Sequence, residues 1–74
     1  MFQRRRIEFA ILNLLKQKGG SVTDRELFEF LRRVFDISYP EFIYILMCLE
    51  LEGFISVRAA SSREGRIIVL RRST

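Results

Sequence analysis

The sequence predicts an α+β domain: three helices, a short extended segment between the first two, and a C-terminal two-stranded antiparallel hairpin. Three observations carry that prediction. Apolar residues recur at helical spacing in three stretches, about residues 4–18, 24–35 and 39–52. Thr23 to Glu26 and Ser38 to Glu41 have the Ser/Thr-x-x-Glu spacing of capping boxes, which marks where the second and third helices start. Phe54 to Arg58 and Arg66 to Leu70 read as strands, and between them Ala59 to Gly65 is small, polar and ends in Glu64-Gly65, as a hairpin loop should.

In the first helix Ile7, Ala10, Ile11, Leu14 and Leu15 form one apolar stripe. Lys16 and Lys18 lie in its last turn, where cations suit the helix dipole, and Gly19-Gly20 ends it. Phe2, Phe9 and Leu12 fall on roughly the opposite side. A small monomer has no need of that second stripe. Ser21-Val22 is expected to be a minimal first strand. The second helix turns Leu27, Phe30, Leu31 and Val34 to the core, with Phe28 and Phe35 beside them. Arg25, Glu29, Arg32 and Arg33 face outward at spacings that allow ion pairs. Asp36-Ile37 makes the turn. Pro40 stands in the first turn of the third helix, where its missing N–H costs little, and Gly53 ends that helix. The hairpin occupies about residues 54–70, and the tail 71–74 is expected to fray.

Seventy-four residues make a single domain, 1–74, at most. So short a chain buries a modest fraction of its surface and needs a dense core. The composition meets that need, with 49% hydrophobic residues and seven Phe. No apolar run approaches the roughly 18 residues of a membrane span. Met1 to Arg6 is basic but lacks the apolar run and cleavage site of a signal peptide, so none is expected. The single cysteine, Cys48, permits no internal disulfide, which agrees with a reducing cytoplasmic setting. With no His, a Cys/His zinc site is excluded, and Cys48 has no imidazole to activate it as a nucleophile. Cys48 is expected to be a small packing residue. There is no Gly-rich phosphate loop and no recognisable carboxylate pair. An enzymatic activity, a cofactor and a small-molecule ligand are therefore not expected.

The net charge is +4, with 11 Arg and two Lys. Its distribution says more than its sum. Residues 1–18 carry +4, residues 19–37 carry −1, residues 38–53 carry −3 and residues 54–74 carry +4. Arginine favours planar, bidentate contact with phosphate or carboxylate. Charge alone leaves two readings open, an anionic partner and a well-solvated surface.

Leu46-x-x-Leu49-x-x-x-Gly53-Phe54-Ile55, followed by a hairpin with Arg58, Arg63 and Arg66, resembles the winged-helix (winged helix-turn-helix) superfamily. The resemblance covers nearly the whole chain and is more specific for fold than for function. Small archaeal and bacterial DNA-binding regulators look like this. The resemblance implies DNA binding, with the third helix in the major groove and the hairpin, or wing, on the backbone or minor groove. On that expectation Arg58, Arg63 and Arg66 are phosphate contacts, joined by Arg71 and Arg72 just after the wing and by Arg4, Arg5 and Arg6 at the start of the first helix. Such contacts provide affinity and salt dependence without reading bases.

The third helix departs from the pattern. Ser38 to Gly53 contains no Lys, Arg, Asn or Gln, the residues that usually read base edges. At roughly 100° per residue, Phe42, Leu46 and Leu49 share one face, which the resemblance places in the core. Tyr44, Met47 and Leu51 fall opposite, with Ile43 and Cys48 towards the edges and Glu41, Glu50 and Glu52 flanking them. Either this helix is buried on two sides or its outer face meets a partner. The composition is that of an interface anchor. The expected interface residues are Tyr44, Met47, Leu51 and Ile43 of the third helix with Phe2, Phe9 and Leu12 of the first. Two functions follow. One is a DNA-binding transcription regulator or chromatin-associated factor that grips the backbone and forms a homodimer through apolar helix surface. The other is a protein–protein interaction adaptor that docks through its third helix in a larger complex.

Overall fold

The last strand of the chain is the central strand of its sheet. The computed structural model describes residues 3–59 and 65–71. Its elements run α1 (Arg4–Gln17), β1 (Ser21–Thr23), α2 (Asp24–Val34), α3 (Tyr39–Leu51), β2 (Ile55–Ala59) and β3 (Arg66–Leu70). The strands form one antiparallel sheet in the order β1-β3-β2. Val22 faces Ile68 across β1 and β3, and Val57 faces Ile68 across β2 and β3. This is the α+β arrangement expected from the sequence, and it is consistent with a winged-helix layout.

Both α1 and α3 end in the same hydrogen-bonded closure. After α1, the Gly20 N–H donates to the Leu15 carbonyl at 2.7 Å and the Gly19 N–H to the Lys16 carbonyl at 3.3 Å. After α3, the Phe54 N–H donates to the Leu49 carbonyl at 2.9 Å and the Gly53 N–H to the Glu50 carbonyl at 3.0 Å. Each pair forms a Schellman motif, which needs a left-handed residue just past the cap. Gly19 (φ 85°) and Gly53 (φ 87°) supply it without the steric cost a Cβ would bring. The closure sets where β1 and β2 begin, and so aims both strands at β3.

One face of each helix closes on the inner face of the sheet. Ile7, Ile11, Leu14 and Leu15 of α1 meet Leu27 and Leu31 of α2, Phe42, Ile45, Leu46 and Leu49 of α3, and Val22, Ile55 and Ile68 of the sheet. No polar side chain is buried among the described residues. The junction of α2 and α3 is aromatic. Phe28 packs edge-on against Tyr39 with ring centres 5.2 Å apart and tilted against Phe42 at 5.0 Å, while Arg32 stacks over Phe28 at 5.7 Å.

Several details differ from the sequence expectation. Val34, expected in the core, is 60% exposed, because it is the last residue of α2 and no other element extends over it. Ile37, read only as part of the turn, is buried. Ile45 is fully buried and widens the core face of α3 beyond Phe42, Leu46 and Leu49. The cap at Ser38 is a full box, with the Glu41 carboxylate accepting from the Ser38 N–H at 2.9 Å and Ser38 Oγ accepting from the Glu41 N–H at 3.3 Å. The cap at Thr23 is half of one. Thr23 Oγ1 accepts from the Glu26 N–H at 3.1 Å, but the Glu26 carboxylate pairs instead with Lys18 Nζ at 2.9 Å, a charged donor outcompeting a neutral one. The pairs expected along the outer face of α2 do not form among the described residues; the ion pairs present are Arg4–Glu8, Arg4–Glu52 and Lys18–Glu26.

The two caps predict different mutational costs. Ser38→Ala is expected to lose about 1 kcal/mol in urea denaturation, since it removes an N-cap acceptor. Glu26→Ala is expected to lose less than about 0.5 kcal/mol, since it removes only an exposed ion pair.

Candidate functional site

The hairpin displays its arginines on two sides. Strand alternation puts Ile55 and Val57 on the inner face with Ile68 and Leu70, and turns Arg58 outward opposite Ile67. Arg66, paired with Ala59 at the loop end, lies on the Ile68 side of the ribbon. Arg58 and Arg66 therefore project from opposite faces, both exposed. Among the described residues no carboxylate is within ion-pair distance of either. The ribbon is held by its surroundings. The Glu50 carboxylate of α3 accepts the outward Val57 N–H of β2 at 3.1 Å, which occupies part of the sheet's open edge. Gly65 (φ 80°) brings the start of β3 against α2, where a Cβ would stand 3.0 Å from Asp24 Oδ1. Arg63 and Arg72 lie outside the described residues.

Arg71 does not belong to this group. It lies five residues beyond Arg66, about 16 Å along the strand. Its N–H donates to the Phe54 carbonyl at 2.9 Å, at the base of the hairpin. There it lines a groove with α1.

The N-terminal arginines have separate fates. Arg4 Nε donates to Glu8 Oε2 at 2.9 Å, its Nη2 reaches Glu52 Oε2 at 3.8 Å, and its guanidinium lies 5.8 Å from the centre of the Tyr44 ring. The hydrogen bond to Glu8 is the main reason its pKa stands above the ordinary guanidinium value. Arg4 thus joins α1 to α3, with part of its charge met by Glu8 and Glu52. Arg6 donates to the neutral Gln3 side chain at 3.2 Å, and Arg5 is exposed. Among the described residues no carboxylate is within ion-pair distance of those two.

Besides Val34 and Tyr39, the exposed large apolar side chains among the described residues fall on two surfaces. On α3, Tyr44 (51% exposed), Met47 (56%) and Leu51 (86%) face out, with Ile43 and Cys48 half-buried at the margins. Among the described residues the core packs against the opposite side of this helix, and on the outer face only Arg4 lies against Tyr44. The other surface is a groove of about 590 Å³ lined by Phe9, Leu12, Asn13 and Lys16 of α1, Gly20, Phe54 and Leu70, with Arg71. Phe9 is 71% exposed there. The second stripe of α1 signalled Phe9 and Leu12. Phe54, Leu70, Lys16 and Arg71 gave no such signal, because their convergence depends on how β2 and β3 cross the end of α1. Phe2 lies outside the described residues.

Among the described residues no three His, Cys, Asp or Glu side chains are grouped to hold a metal ion, and no helix is long and apolar enough to cross a membrane. Comparison with protein-family models, curated proteins and solved structures finds no match to this chain.

The exposure of the α3 face predicts tolerance to charge. Leu51→Glu is expected to leave the far-UV circular dichroism spectrum unchanged and to shift the unfolding free energy of dilute protein by less than about 0.5 kcal/mol. Loss of the folded spectrum would place Leu51 in the core.

Proposed function

We propose that this chain is a DNA-binding protein of the winged-helix type that holds duplex DNA by its backbone, as a transcription regulator or chromatin-associated factor. The observation that carries the reading is the hairpin, whose Arg58 and Arg66 point from opposite faces of one ribbon with no described carboxylate beside them. A ribbon with a cation on each face suits a groove, which has a phosphate strand on either side. Arg5 and Arg6 add charge that flanking phosphates would accept. The third helix contributes no base reading, since its outer face is apolar and edged with carboxylates. Binding is therefore backbone-dominated and of low sequence specificity, and the apolar helix surface serves self-association.

A second reading has its own support. The exposed Tyr44, Met47 and Leu51 form a patch of the kind that marks association, and in an adaptor they would dock on a foreign protein. The two readings part on DNA. Fluorescence anisotropy against random-sequence duplex, titrated with salt, is expected to show micromolar binding that weakens steeply as salt rises, through release of counterions. Absence of binding at low salt would remove the DNA reading and leave the adaptor. Arg58→Glu with Arg66→Glu is expected to weaken binding several-fold and to lower the slope of log K against log salt by about 2, near 0.9 for each phosphate no longer neutralised. An unchanged slope would take the hairpin out of the interface.

A further inference from the structure

We propose that the chain forms a two-fold homodimer in which the outer face of α3 of each copy seats in the α1–β3 groove of the other. The inference rests on the self-association half of the reading above and not on its DNA half.

The two apolar surfaces carry opposite net charge at their edges, even with Arg4 lying 5.8 Å from the centre of the Tyr44 ring on the α3 face. Around Tyr44, Met47 and Leu51 stand Glu41, Glu50 and Glu52, and no Lys or Arg occurs from Ser38 to Gly53. Around Phe9, Leu12, Phe54 and Leu70 stand Lys16 and Arg71, and among the described residues no carboxylate lines the groove. Neither of those cations has a carboxylate within ion-pair distance among the described residues. On the acidic side, Glu41 is held by its cap to Ser38 and Glu50 by the Val57 N–H. Both carboxylates are held by neutral donors, and among the described residues no cation lies within ion-pair distance of either. Glu52 is partly compensated by Arg4 at 3.8 Å.

Complementarity selects among the ways two copies can meet. Packing α3 against α3 would bring the carboxylates of both copies together, and packing groove against groove would do the same with the cations. Like charges set face to face across an interface are costly. Docking α3 into the groove removes both conflicts and places Glu beside Lys and Arg. A second copy is the favoured occupant because one chain presents both halves of the match.

The position of the surfaces favours closure. Leu51, on the α3 face, is three residues before Phe54 in the groove, and Arg4 ties α1 to α3 through Glu52 and Tyr44. Neighbouring surfaces let a single two-fold axis make both contacts at once, as a reciprocal interface requires. Surfaces on opposite sides of the molecule would instead run into open chains.

Sedimentation equilibrium of the full chain without DNA, over a concentration series, tests this. The unmodified protein is expected to rise reversibly from 8.8 kDa to twice that mass. Leu51→Glu and Phe9→Glu are each expected to stay monomeric where the unmodified protein is dimeric. An equimolar mixture of the two variants should regain dimer, because the intact α3 face of one fits the intact groove of the other. Circular dichroism confirms that each variant is folded, and Met47→Glu replaces Leu51→Glu if the latter is not. A protein monomeric at every concentration overturns the proposal. So does a folded single variant that dimerises as the parent does, a mixture that stays monomeric, or a mass that grows past the dimer. A monomer that still binds duplex DNA sinks this inference alone, whereas a dimer that binds none sinks only the DNA reading.

Discussion

β3 is the strand on which the rest of the structure depends. It is the last element of the chain, yet it lies between β1 and β2 and hydrogen-bonds to both. Without it β1 is a three-residue segment with no partner and β2 an isolated strand. Ile68, at its centre, is fully buried and faces Val22 on one side and Val57 on the other. The Leu70 N–H donates to the Gly20 carbonyl at 2.7 Å, so the end of the chain is sewn to the turn that follows its first helix. The sheet is thus the closure that joins the segment after α1 to the hairpin. It also explains why both helix-ending glycines matter, since each directs a strand toward the same central partner.

The small size of the chain shapes its surface. A core built from one face of each of three helices and one face of a three-stranded sheet leaves the other faces uncovered. α2 spends its outer face on charged side chains. α1 and α3 do not: each keeps apolar residues outside, Phe9 on one, beside the half-buried Leu12, and Tyr44, Met47 and Leu51 on the other. An exposed apolar surface edged with one sign of charge, next to another edged with the opposite sign, is a physical basis for association.

Arg4 illustrates how a charge is reassigned by folding. In the sequence it is one of three consecutive arginines, set apart only by Glu8 four residues on. In the structure Glu8, one turn on, and Glu52, far along the chain, converge on it, and it becomes a tie between helices. Arg71 is moved in the same way, from the neighbourhood of the hairpin arginines to the base of the α1 groove.

The elements of this protein were legible because they depend on short-range physics. Apolar spacing, two Ser/Thr-x-x-Glu signatures and the glycines after α1 and α3 act within a few residues, and they specify the helices, their order and their limits to within a residue or so. The two-sidedness of α3 was legible for the same reason, since helical rotation is a local property. What only the tertiary structure decided is which distant residues meet. It exposed Val34 at a helix end, buried Ile37 and Ile45, gave Glu26 to Lys18, and joined Phe54, Leu70 and Arg71 to the outer stripe of α1. Those outcomes follow from the angles at which helices and strands cross. Crossing angles arise from packing of the whole core, which no local stretch of residues encodes.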